Sequence, residues 1–455
     1  MACVFFANLH TIYFKVNIIR KNSIIHFIIV SAMSFLFLGI ANAQNLQLKL
    51  DQSLEIALSE SNTVKLADKT VEKAGYAKKG SYATLYPNIS ANGSYQRTLK
   101  KQQMVMNFNG MEQTITMGQN NSVNAGVTAS MPLINAPLWE SLKVSAMDVE
   151  MAVEQARSSK LSLVSQVKQA FYAALLAKES HQVMQEVYDN ATKNYNETVN
   201  KYNVGKASEF EKMRAQVTMM NAEPNVTSAE NAMVLTTWQL KALIGIDLDK
   251  DIEVVGNLSD YEGELLAGSG ITPDFSYNSS LRQMEIQNRI LDANTKMIKF
   301  QYIPTLAAQF SYNYVAMGDS LMKMNWSPYS TVAVSLSIPI FDGLSKHYNI
   351  KQMKVAKESL DMQREDMERN LNIAAKNYND QMALCIKNYN AAKSAVEVAQ
   401  KSYQISEKMY EVGKATLVEL NDAQLAYTQS LLNMNQSIYN YMVAKAGLEE
   451  LMGKE

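Results

Sequence analysis

The sequence predicts a mainly α-helical protein with a small β part, in which long antiparallel helices pack as coiled coils and the chain contains an internal two-fold repeat. Three observations predict this fold class. One phrase occurs twice, as Tyr202-Asn-Val-Gly-Lys-Ala207 and as Tyr410-Glu-Val-Gly-Lys-Ala415, at a constant offset of 208 positions. Long stretches without Gly or Pro flank both copies, and four shorter stretches alternate apolar and polar residues. A fixed offset that holds over tens of residues indicates an internal duplication.

The first 43 residues have the features of a secretory signal peptide. Three basic residues precede a nearly continuous apolar run from Ile24 to Ile40, and Ala41-Asn-Ala43 forms a small-residue cleavage site before Gln44. The alternative is a retained anchor helix, because the apolar run is long. Gln44 is not a cysteine, so the sequence gives no indication of lipid attachment.

Six helices are predicted, three in each half of the chain. Gly205 and Gly413 lie where a long helix ends and a return helix begins, since Gly commonly terminates helices. Apolar residues recur every three or four positions, as at Tyr427, Leu431 and Met434, which is typical of coiled-coil packing. Each long helix has a predicted length of about 100 Å, roughly that of two shorter helices placed end to end. The predicted helices are Asn62–Leu85, Pro137–Asn203, Ala207–Leu243, Asn278–Phe300, Gly343–Glu411 and Ala415–Leu451.

Four strands are predicted as two β-hairpins, at 88–133 and 305–340. Prolines at 87, 132, 304 and 339 delimit them, and a polar loop of 25 residues or so separates the strands of the first hairpin. Each strand has about ten residues, the length that a tilted transmembrane β-strand needs. The alternative is a soluble antiparallel sheet with one wet face. Because four strands cannot close a barrel and an open edge cannot lie in hydrocarbon, membrane-spanning strands would require several chains to share one barrel.

These elements divide the chain into a signal peptide and two repeats. Residues 1–43 form the signal peptide, 44–245 the first repeat, 246–277 an irregular equatorial or linker segment, and 278–455 the second repeat. Each repeat contains a helix, a β-hairpin, a long helix and a return helix. The linker is expected to wrap around the outside.

Composition excludes several function classes. Removal of residues 1–43 takes away three of the 43 basic residues and none of the 44 acidic ones, which leaves no basic footprint for nucleic acid. Only Cys385, His181 and His347 would remain of the thiols and imidazoles, so neither a disulfide nor a zinc site is expected. We find no phosphate loop and no nucleophile–His–acid pattern, so we expect no cofactor, no metal and no enzymatic activity.

The repeated turns and the strand-opening motifs resemble those of the TolC-like outer-membrane efflux proteins. The motifs are Tyr86-Pro-Asn88, Ile303-Pro-Thr305 and Ser337-Ile-Pro-Ile-Phe-Asp-Gly343, together with the paired Tyr-x-Val-Gly-Lys-Ala turns. Each motif is weak alone, whereas their order, duplication and spacing over 44–455 are specific. The resemblance implies a homotrimer, with twelve strands in one outer-membrane barrel and a helical α-barrel that extends into the periplasm.

The resemblance also implies a function and partners. Members of the family work with a periplasmic adaptor (a membrane fusion protein) and an inner-membrane transporter of the RND or ABC type. We therefore expect a channel-tunnel in contact with outer-membrane lipid that exports drugs or other small compounds. The alternative within the family is the outer-membrane channel of a type I protein secretion system. Outside the family, a secreted coiled-coil protein and a general diffusion porin are the rival interpretations.

Two groups of candidate site residues follow from the resemblance. The family's periplasmic gate corresponds to Glu419 and Asp422, with Tyr410 at the position of a tyrosine that tethers the closed tip. A basic partner found in some members is replaced by Ala415, which departs from the pattern. The alternative is that both carboxylates are solvated charges on a helix face. The second group is the exposed turns, which we expect to dock the adaptor: Val204, Gly205, Lys206, Val412, Gly413 and Lys414.

Overall fold

A computed structural model describes residues 46–108, 111–266, 268, 270–320 and 324–454 of the chain. The expected signal peptide lies outside the described residues. The helices, in chain order, are α1 Leu50–Glu60, α2 Asn62–Ala83, α3 Ala136–Asn203, α4 Glu209–Ile244, α5 Glu262–Leu266, α6 Ser279–Phe300, α7 Ser345–Glu411 and α8 Leu417–Met452, with a short 3₁₀ turn at Leu258–Tyr261. The strands are β1 Leu46–Leu48, β2 Asn88–Arg97, β3 Gln102–Phe108, β4 Met111–Met117, β5 Asn121–Ile134, β6 Ile252–Val254, β7 Thr305–Gly318 and β8 Asn325–Ser337.

The two longest helices end at the repeated turn for the same physical reason. Gly205 and Gly413 adopt φ values of 74° and 73°, a conformation that costs glycine little. In each turn the following lysine N–H donates to a carbonyl five residues earlier, from Lys206 to Lys201 at 2.7 Å and from Lys414 to Met409 at 2.8 Å. These bonds satisfy helix-terminal carbonyls that would otherwise have no partner. The chain then reverses, so that α3 packs against α4 and α7 packs against α8.

The return helices begin and end at equivalent points in the two repeats. Ser208 caps α4 and Thr416 caps α8, each in a reciprocal capping box with a glutamate three residues later. Gly245 and Gly453 end these helices with φ values of 79° and 69°. A Cβ atom at Gly245 would meet the Glu60 carbonyl oxygen at 2.8 Å. These two glycines therefore allow the backbone of each return helix to approach the start of α2 or α6 closely.

The core lies at the middle of the helical body, where both repeats and the linker meet. The parallel pair β1–β6 packs there with α3 and α8, and Leu258 and Leu265 of the linker are fully buried. The hydroxyl of Tyr441 on α8 shares its one hydrogen between the carbonyls of Glu264 and Gly268, at 3.0 and 3.1 Å. The linker is therefore part of the core, and its course around the outside stays a prediction.

The four main strands form one antiparallel sheet in the order β2-β5-β7-β8. The register places apolar residues together on one face, as where Val127 lies between Ala91 and Tyr312. The other face carries Ser, Thr, Asn and Gln, as where Thr128 lies between Ser90 and Ser311. Both the alternation and the pairing into two hairpins agree with the sequence-based prediction. Among the described residues of the single chain, the outer edges of β2 and β8 have no partner strand.

The structure differs from the sequence-based prediction between the strands of the first hairpin. The segment expected to be a polar loop contains a second hairpin, β3–β4, which forms its own two-stranded sheet. Asp319 holds the base of this hairpin, because its carboxylate accepts from Lys101 Nζ at 2.7 Å and from the Asn120 N–H at 3.0 Å. The prediction also missed β1 and α1, which precede the first expected helix.

The described helices were also compared with the requirements of a membrane-spanning helix. None of those present in the described ranges is both long enough and apolar enough to cross a bilayer.

Candidate functional site

The two helical hairpins contact each other near their turns, at the end of the molecule that we call the tip (194–218 and 402–427). The Tyr410 side chain on α7, only 9% exposed, lies with its hydroxyl 2.8 Å from the buried hydroxyl of Thr198 on α3. Thr198 donates its one hydroxyl hydrogen to the Asn194 carbonyl at 2.7 Å, so Tyr410 is the donor to Thr198. A buried hydrogen bond therefore links the first hairpin to the second.

Lys201 and Lys193 of α3 strengthen this link. The Lys201 ammonium lies 4.2 Å above the centre of the Tyr410 ring and donates to the Tyr410 carbonyl at 3.3 Å. A cation is favourable there, because the last carbonyls of a helix carry partial negative charge. About two turns away on α3, Lys193 forms an ion pair with Glu407 at 3.2 Å. The hydrogen bond to Glu407 and the negative charge of Glu407 raise the pKa of Lys193.

An apolar cluster lies directly behind the Tyr410 hydrogen bond. Tyr403 stacks on Tyr427 with a centroid distance of 6.1 Å and an interplanar angle of 5°, and burial raises the pKa of Tyr403 to about 12. Leu417 and Leu420 of α8 pack in the same cluster with Ala215 of α4. Polar and apolar contacts therefore join the two hairpins of one chain at the tip.

Glu419 and Asp422 lie on the first turns of α8, just past the second glycine turn. The Glu419 carboxylate accepts from the N–H of Thr416 at 2.7 Å and from its hydroxyl at 3.0 Å. The N–H bond is the main cause that lowers the pKa of Glu419, so this carboxylate is charged at neutral pH. Asp422 is exposed one turn further along. Glu419 therefore caps its own helix, and the gate role of both carboxylates stays a prediction.

The tip contacts differ between the two repeats, although the sequence repeats there. Tyr202 stands where the second repeat has Tyr410, yet Tyr202 is 36% exposed and its ring lies under the Lys212 ammonium at 4.8 Å. Sequence reasoning identified Tyr410 but missed its partners Thr198 and Lys201. One signal for Lys201 was available in the sequence. The two repeats differ at this position, because the second repeat has Met409 where the first has Lys201.

The turns predicted to dock an adaptor form the exposed ends of the two hairpins. Val204 and Val412 are 68% and 69% exposed, although both are apolar. A Cβ atom built on either turn glycine would meet no atom within 4 Å. Lys206 and Lys414 are exposed beside them. The turns therefore present a small, partly apolar and basic surface, and their docking role stays a prediction.

Within the described ranges, no cluster of three or more His, Cys, Asp and Glu side chains could hold a metal ion.

The sequence and fold were compared with those of known proteins. Residues 53–246 and 276–454 match the family described as "Outer membrane efflux protein". The chain belongs to this family. A curated member, outer membrane protein TolC of Vibrio cholerae serotype O1, is 20% identical over 388 residues, which cover 83% of this chain and 84% of the relative.

Solved outer membrane channels share the fold. The CmeC outer membrane channel of Campylobacter jejuni matches with a TM-score of 0.69 and 16% identity, over 89% of this chain and 85% of that one. The open state of the MtrE outer membrane channel of Neisseria gonorrhoeae matches with a TM-score of 0.68 and 18% identity, over 89% of each chain. The predicted fold class, mainly helical with long coiled-coil helices and a small β part, is confirmed.

Membership of the outer membrane efflux protein family settles the broad function. The protein is an outer-membrane efflux channel and not an enzyme. Its helical body is the periplasmic extension of that channel, as predicted. The family match has a gap at 247–275, where the sequence analysis places the linker between its two repeats.

Proposed function

We propose that the protein is one subunit of a homotrimeric channel-tunnel that exports drugs or other small compounds. In this proposal the chain loses residues 1–43, its repeats 44–245 and 278–455 are joined by 246–277, and its four main strands form one third of a twelve-stranded barrel. A periplasmic adaptor and an inner-membrane transporter of the RND or ABC type deliver the compounds. The observation that carries the proposal is the open four-stranded sheet, whose two edges and apolar face are uncovered in the single chain.

The sheet needs partners on both edges if it is to lie in a membrane. Unpaired backbone N–H and C=O groups in hydrocarbon cost several kcal/mol each. The apolar face supports a membrane location, because Val332 and Ile89 are 78% and 71% exposed on the outermost strands. Further copies of the chain satisfy both edges at once when β8 of one copy pairs with β2 of the next.

The internal repeat supplies the register of this pairing. Within the chain, Pro132 of β5 lies opposite Ala307 of β7, three residues after Pro304. Pro339 is the equivalent of Pro132, and Pro87 is the equivalent of Pro304. The same register therefore places Pro339 opposite Ser90 of the next copy, which is the residue three after Pro87.

The transferred register is consistent with the two faces of the sheet. It sets Ile338 opposite Ala91 and Val334 opposite Tyr95, all on the apolar face. It sets Ser335 opposite Ser94 on the polar face. It also gives a partner to the stretch after β8: if the bulge at Pro132–Ile134 is repeated there, Phe341, which is 79% exposed, lies opposite Ile89.

We expect cysteines at Ile338 and Ala91 to join neighbouring copies by disulfides in the full-length protein carrying Cys385→Ala. Residues directly opposite in an antiparallel pair have Cα atoms about 4.5–5.5 Å apart, which suits a disulfide. Oxidation of Ile338→Cys with Ala91→Cys should give a covalent trimer on a denaturing gel.

The matched controls shift one cysteine by two residues while keeping it on the same face. Ile338→Cys with Gly93→Cys, or with Ile89→Cys, should crosslink far less. A crosslink that favours a shifted pair would contradict the register alone. A detergent-solubilised protein that stays monomeric, with no crosslink at any register, would contradict the trimer.

The helices also have uncovered seams that neighbouring copies would bury. On α4, exposed apolar side chains recur at coiled-coil spacing, and on α7 a second exposed stripe recurs every seven, eleven or fourteen residues. The seam on α4 comprises Phe210, Met213, Val217, Met220, Val234 and Trp238, and that on α7 comprises Val355, Met362, Ile373, Leu384, Val398 and Ile405. Such seams support an assembly in which helical hairpins of successive copies lie side by side.

For the gate, we propose that Glu419 and Asp422 of the three copies form an acidic ring at the tip, which Tyr410 helps to hold closed. Both carboxylates are exposed at the start of α8, and clustered carboxylates attract cations and titrate together. The double substitution Glu419→Ala with Asp422→Ala should weaken cation selectivity and block by divalent ions in planar bilayers. Glu211→Ala, which removes the equivalent capping glutamate of the first repeat, is the control. Unchanged selectivity and block in the double variant would contradict the ring.

For the adaptor, we propose that it binds the exposed turns. The support is the repeated turn itself, since both hairpins end on an uncovered valine beside an exposed lysine. Single cysteines at Lys206 and Lys414 should crosslink to the adaptor through a short bifunctional reagent. A cysteine at the exposed mid-helix residue Lys376 should not. Capture from the mid-helix site alone would contradict docking at the turns.

The class of exported substrate is tested in cells from which the gene for this protein has been deleted. Loss of the protein should increase accumulation of a fluorescent efflux dye, and the wild-type chain should restore efflux. Normal dye efflux combined with loss of a secreted protein would favour the type I secretion role instead.

A further inference from the structure

Helices α2 and α6 both bring lysines to the place where the chain leaves the helical body for the sheet. Lys79 stands eight residues before Pro87, and Lys296 stands eight residues before Pro304. Lys73 lies on α2 and Lys299 on α6, and all four side chains are exposed. The repeat thus places a lysine at the same position twice, close to the first residue of β2 and of β7.

The nearest acidic residues in the sequence pair with other lysines, Glu72 with Lys69 and Asp292 with Lys357, both at 2.7 Å. Residues 73–111 and 293–318 contain neither Asp nor Glu. Among the described residues, Lys73, Lys79, Lys296 and Lys299 form no ion pair. Two other lysines near this end of the helices do, since Lys143 pairs with Glu140 at 2.6 Å and Lys357 with Asp292 at 2.7 Å. The four free ammonium groups therefore form an uncompensated basic cluster, which we call the lysine collar.

Exposed tyrosines accompany the collar. Tyr76 and Tyr86 flank Lys79 along the chain, Tyr302 follows Lys299, and all three rings are at least half exposed. The Lys79 ammonium lies 5.2 Å from the centre of the Tyr76 ring. Tyrosine rings are enriched at the level of lipid headgroups, because they have an apolar body and a polar tip. Lysine and tyrosine together are thus typical of a membrane interface.

The distances fit the headgroup layer. Lys79 lies four residues before the end of α2 at Ala83, which is about 6 Å along a helix. Lys296 lies four residues before the end of α6 at Phe300, so the same distance applies. The headgroup region on each side of a bilayer is about 5–8 Å thick. The side chains of Lys79, Lys296 and Lys299 can therefore extend to the phosphates that border the strands. Lys73 lies ten residues before Ala83, about 15 Å along the helix, so it acts on the lipid surface only through longer-range attraction.

We propose that the lysine collar binds the phosphate groups of anionic phospholipids in the periplasmic leaflet of the outer membrane. The inference rests on the proposed function, because it requires the four main strands to span that membrane. Each lysine near an anionic surface contributes a separate attraction, which weakens as salt shortens the screening distance. The collar would give the channel an annulus enriched in anionic lipid at the level where the sheet meets the helices.

Lipid selectivity of the reconstituted full-length channel tests the inference. Trp139 is 49% exposed in the helix that follows β5, at the end of the sheet where the lysine collar lies. In a variant with Trp238→Phe and Trp326→Phe, Trp139 is the remaining tryptophan, so its fluorescence reports on lipids at this level. Quenching of Trp139 by brominated phosphatidylglycerol, relative to brominated phosphatidylcholine, gives the relative affinity of the two lipids. We expect a preference for phosphatidylglycerol of about fivefold at low salt, which decreases in 1 M salt.

The variant Lys73→Gln, Lys79→Gln, Lys296→Gln, Lys299→Gln should reduce this preference to near onefold. The matched control is Lys206→Gln with Lys414→Gln, which removes two exposed lysines at the far tip and should leave the preference unchanged. The double variant Lys79→Gln with Lys296→Gln should show a preference for phosphatidylglycerol between those of the wild type and the fourfold variant. Inorganic phosphate at 10 mM, or roughly that concentration, should not compete, since a lipid surface presents many phosphates at once.

The outcomes that overturn the inference differ from those that overturn the channel. The lysine collar is wrong if the wild type shows no preference, if the fourfold variant keeps it, or if inorganic phosphate abolishes it. Oligomeric state and conductance are measured on the same samples. A trimer that conducts without lipid preference would leave the proposed function standing, whereas a monomer that does not conduct would contradict the proposed function itself.

Discussion

Replacing Gly453 with alanine is expected to lower the free energy of unfolding by about 4 kcal/mol. Gly453 ends α8 with φ 69°, and an added Cβ would lie 2.1 Å from the Tyr277 carbonyl oxygen, which is fixed backbone. The same carbonyl accepts from Arg157 Nη1 at 3.1 Å, and Arg157 Nη2 donates to the Gly453 carbonyl at 3.0 Å. The methyl group would therefore force apart the end of α8, the start of α6 and the middle of α3. Chemical denaturation of the detergent-solubilised protein, followed by circular dichroism, measures the change.

Gly413→Ala is the matched control for this prediction. Its φ of 73° is almost the same, yet a Cβ there would meet no atom within 4 Å. Gly413→Ala should therefore lower the free energy of unfolding only by the cost of placing alanine in a left-handed conformation, about 1 kcal/mol. Equal losses at Gly413 and Gly453 would show that backbone conformation, and not close approach, determines the effect.

Tyr410→Phe is expected to open the tip. The substitution removes one buried hydrogen bond, worth about 1 kcal/mol net, and leaves the Thr198 hydroxyl without its donor. If the three copies of a trimer open together, the losses combine to about 3 kcal/mol, which shifts the closed–open equilibrium about 100-fold. Single-channel recording in planar bilayers should show a large increase in open probability.

Tyr202→Phe controls for the loss of a tyrosine hydroxyl at the tip. It removes the same atom at the equivalent position of the first repeat, where the ring is exposed and packs against Lys212. Its open probability should equal that of the wild type. Thr198→Val should resemble Tyr410→Phe, since it removes the other partner of the bond. An unchanged Tyr410→Phe channel would mean that the Tyr410–Thr198 hydrogen bond is not needed to hold the hairpins together.

Sequence patterns predicted the long helices and the four main strands well, because each element has strong local signals. Gly205 and Gly413 end the long helices in the conformation that only glycine adopts easily. The prolines at 87 and 304 fix where α2 and α6 give way to extended chain. Strict alternation over ten or more residues fixes which residues of a strand lie on the apolar face, because a shift of one residue would move every side chain to the other face.

The missed hairpin β3–β4 shows the limit of this reasoning. Its polar residues suggested a loop, although apolar residues recur at every second position in each strand, as at Met104 and Met106 and at Ile115 and Met117, and Asn109-Gly110 is a frequent hairpin-turn sequence. The short strand β1 could not be found locally, since its partner β6 lies about 200 residues away along the chain. The same applies to Thr198 and Lys201, whose role depends on a contact between two helices and not on a local motif.

Glu419 illustrates how one residue can satisfy two interpretations. The family resemblance marked it as part of a gate, whereas the chain itself uses it to cap α8. A motif of Thr followed three residues later by Glu predicts this cap from sequence alone. The two roles are compatible, because a carboxylate that caps a helix start keeps its charge, and the Glu419 side chain is exposed.

The uncovered edges of β2 and β8 have a consequence for biogenesis. A newly translocated subunit would cross the periplasm with two strands ready to pair with any extended polypeptide, including a wrong copy in a wrong register. Productive maturation must therefore either shield these strands with a chaperone or delay their ordering until three subunits meet at the bilayer. Yield of mature channel should consequently depend on the rate of subunit supply, with slow expression favouring correct insertion over aggregation.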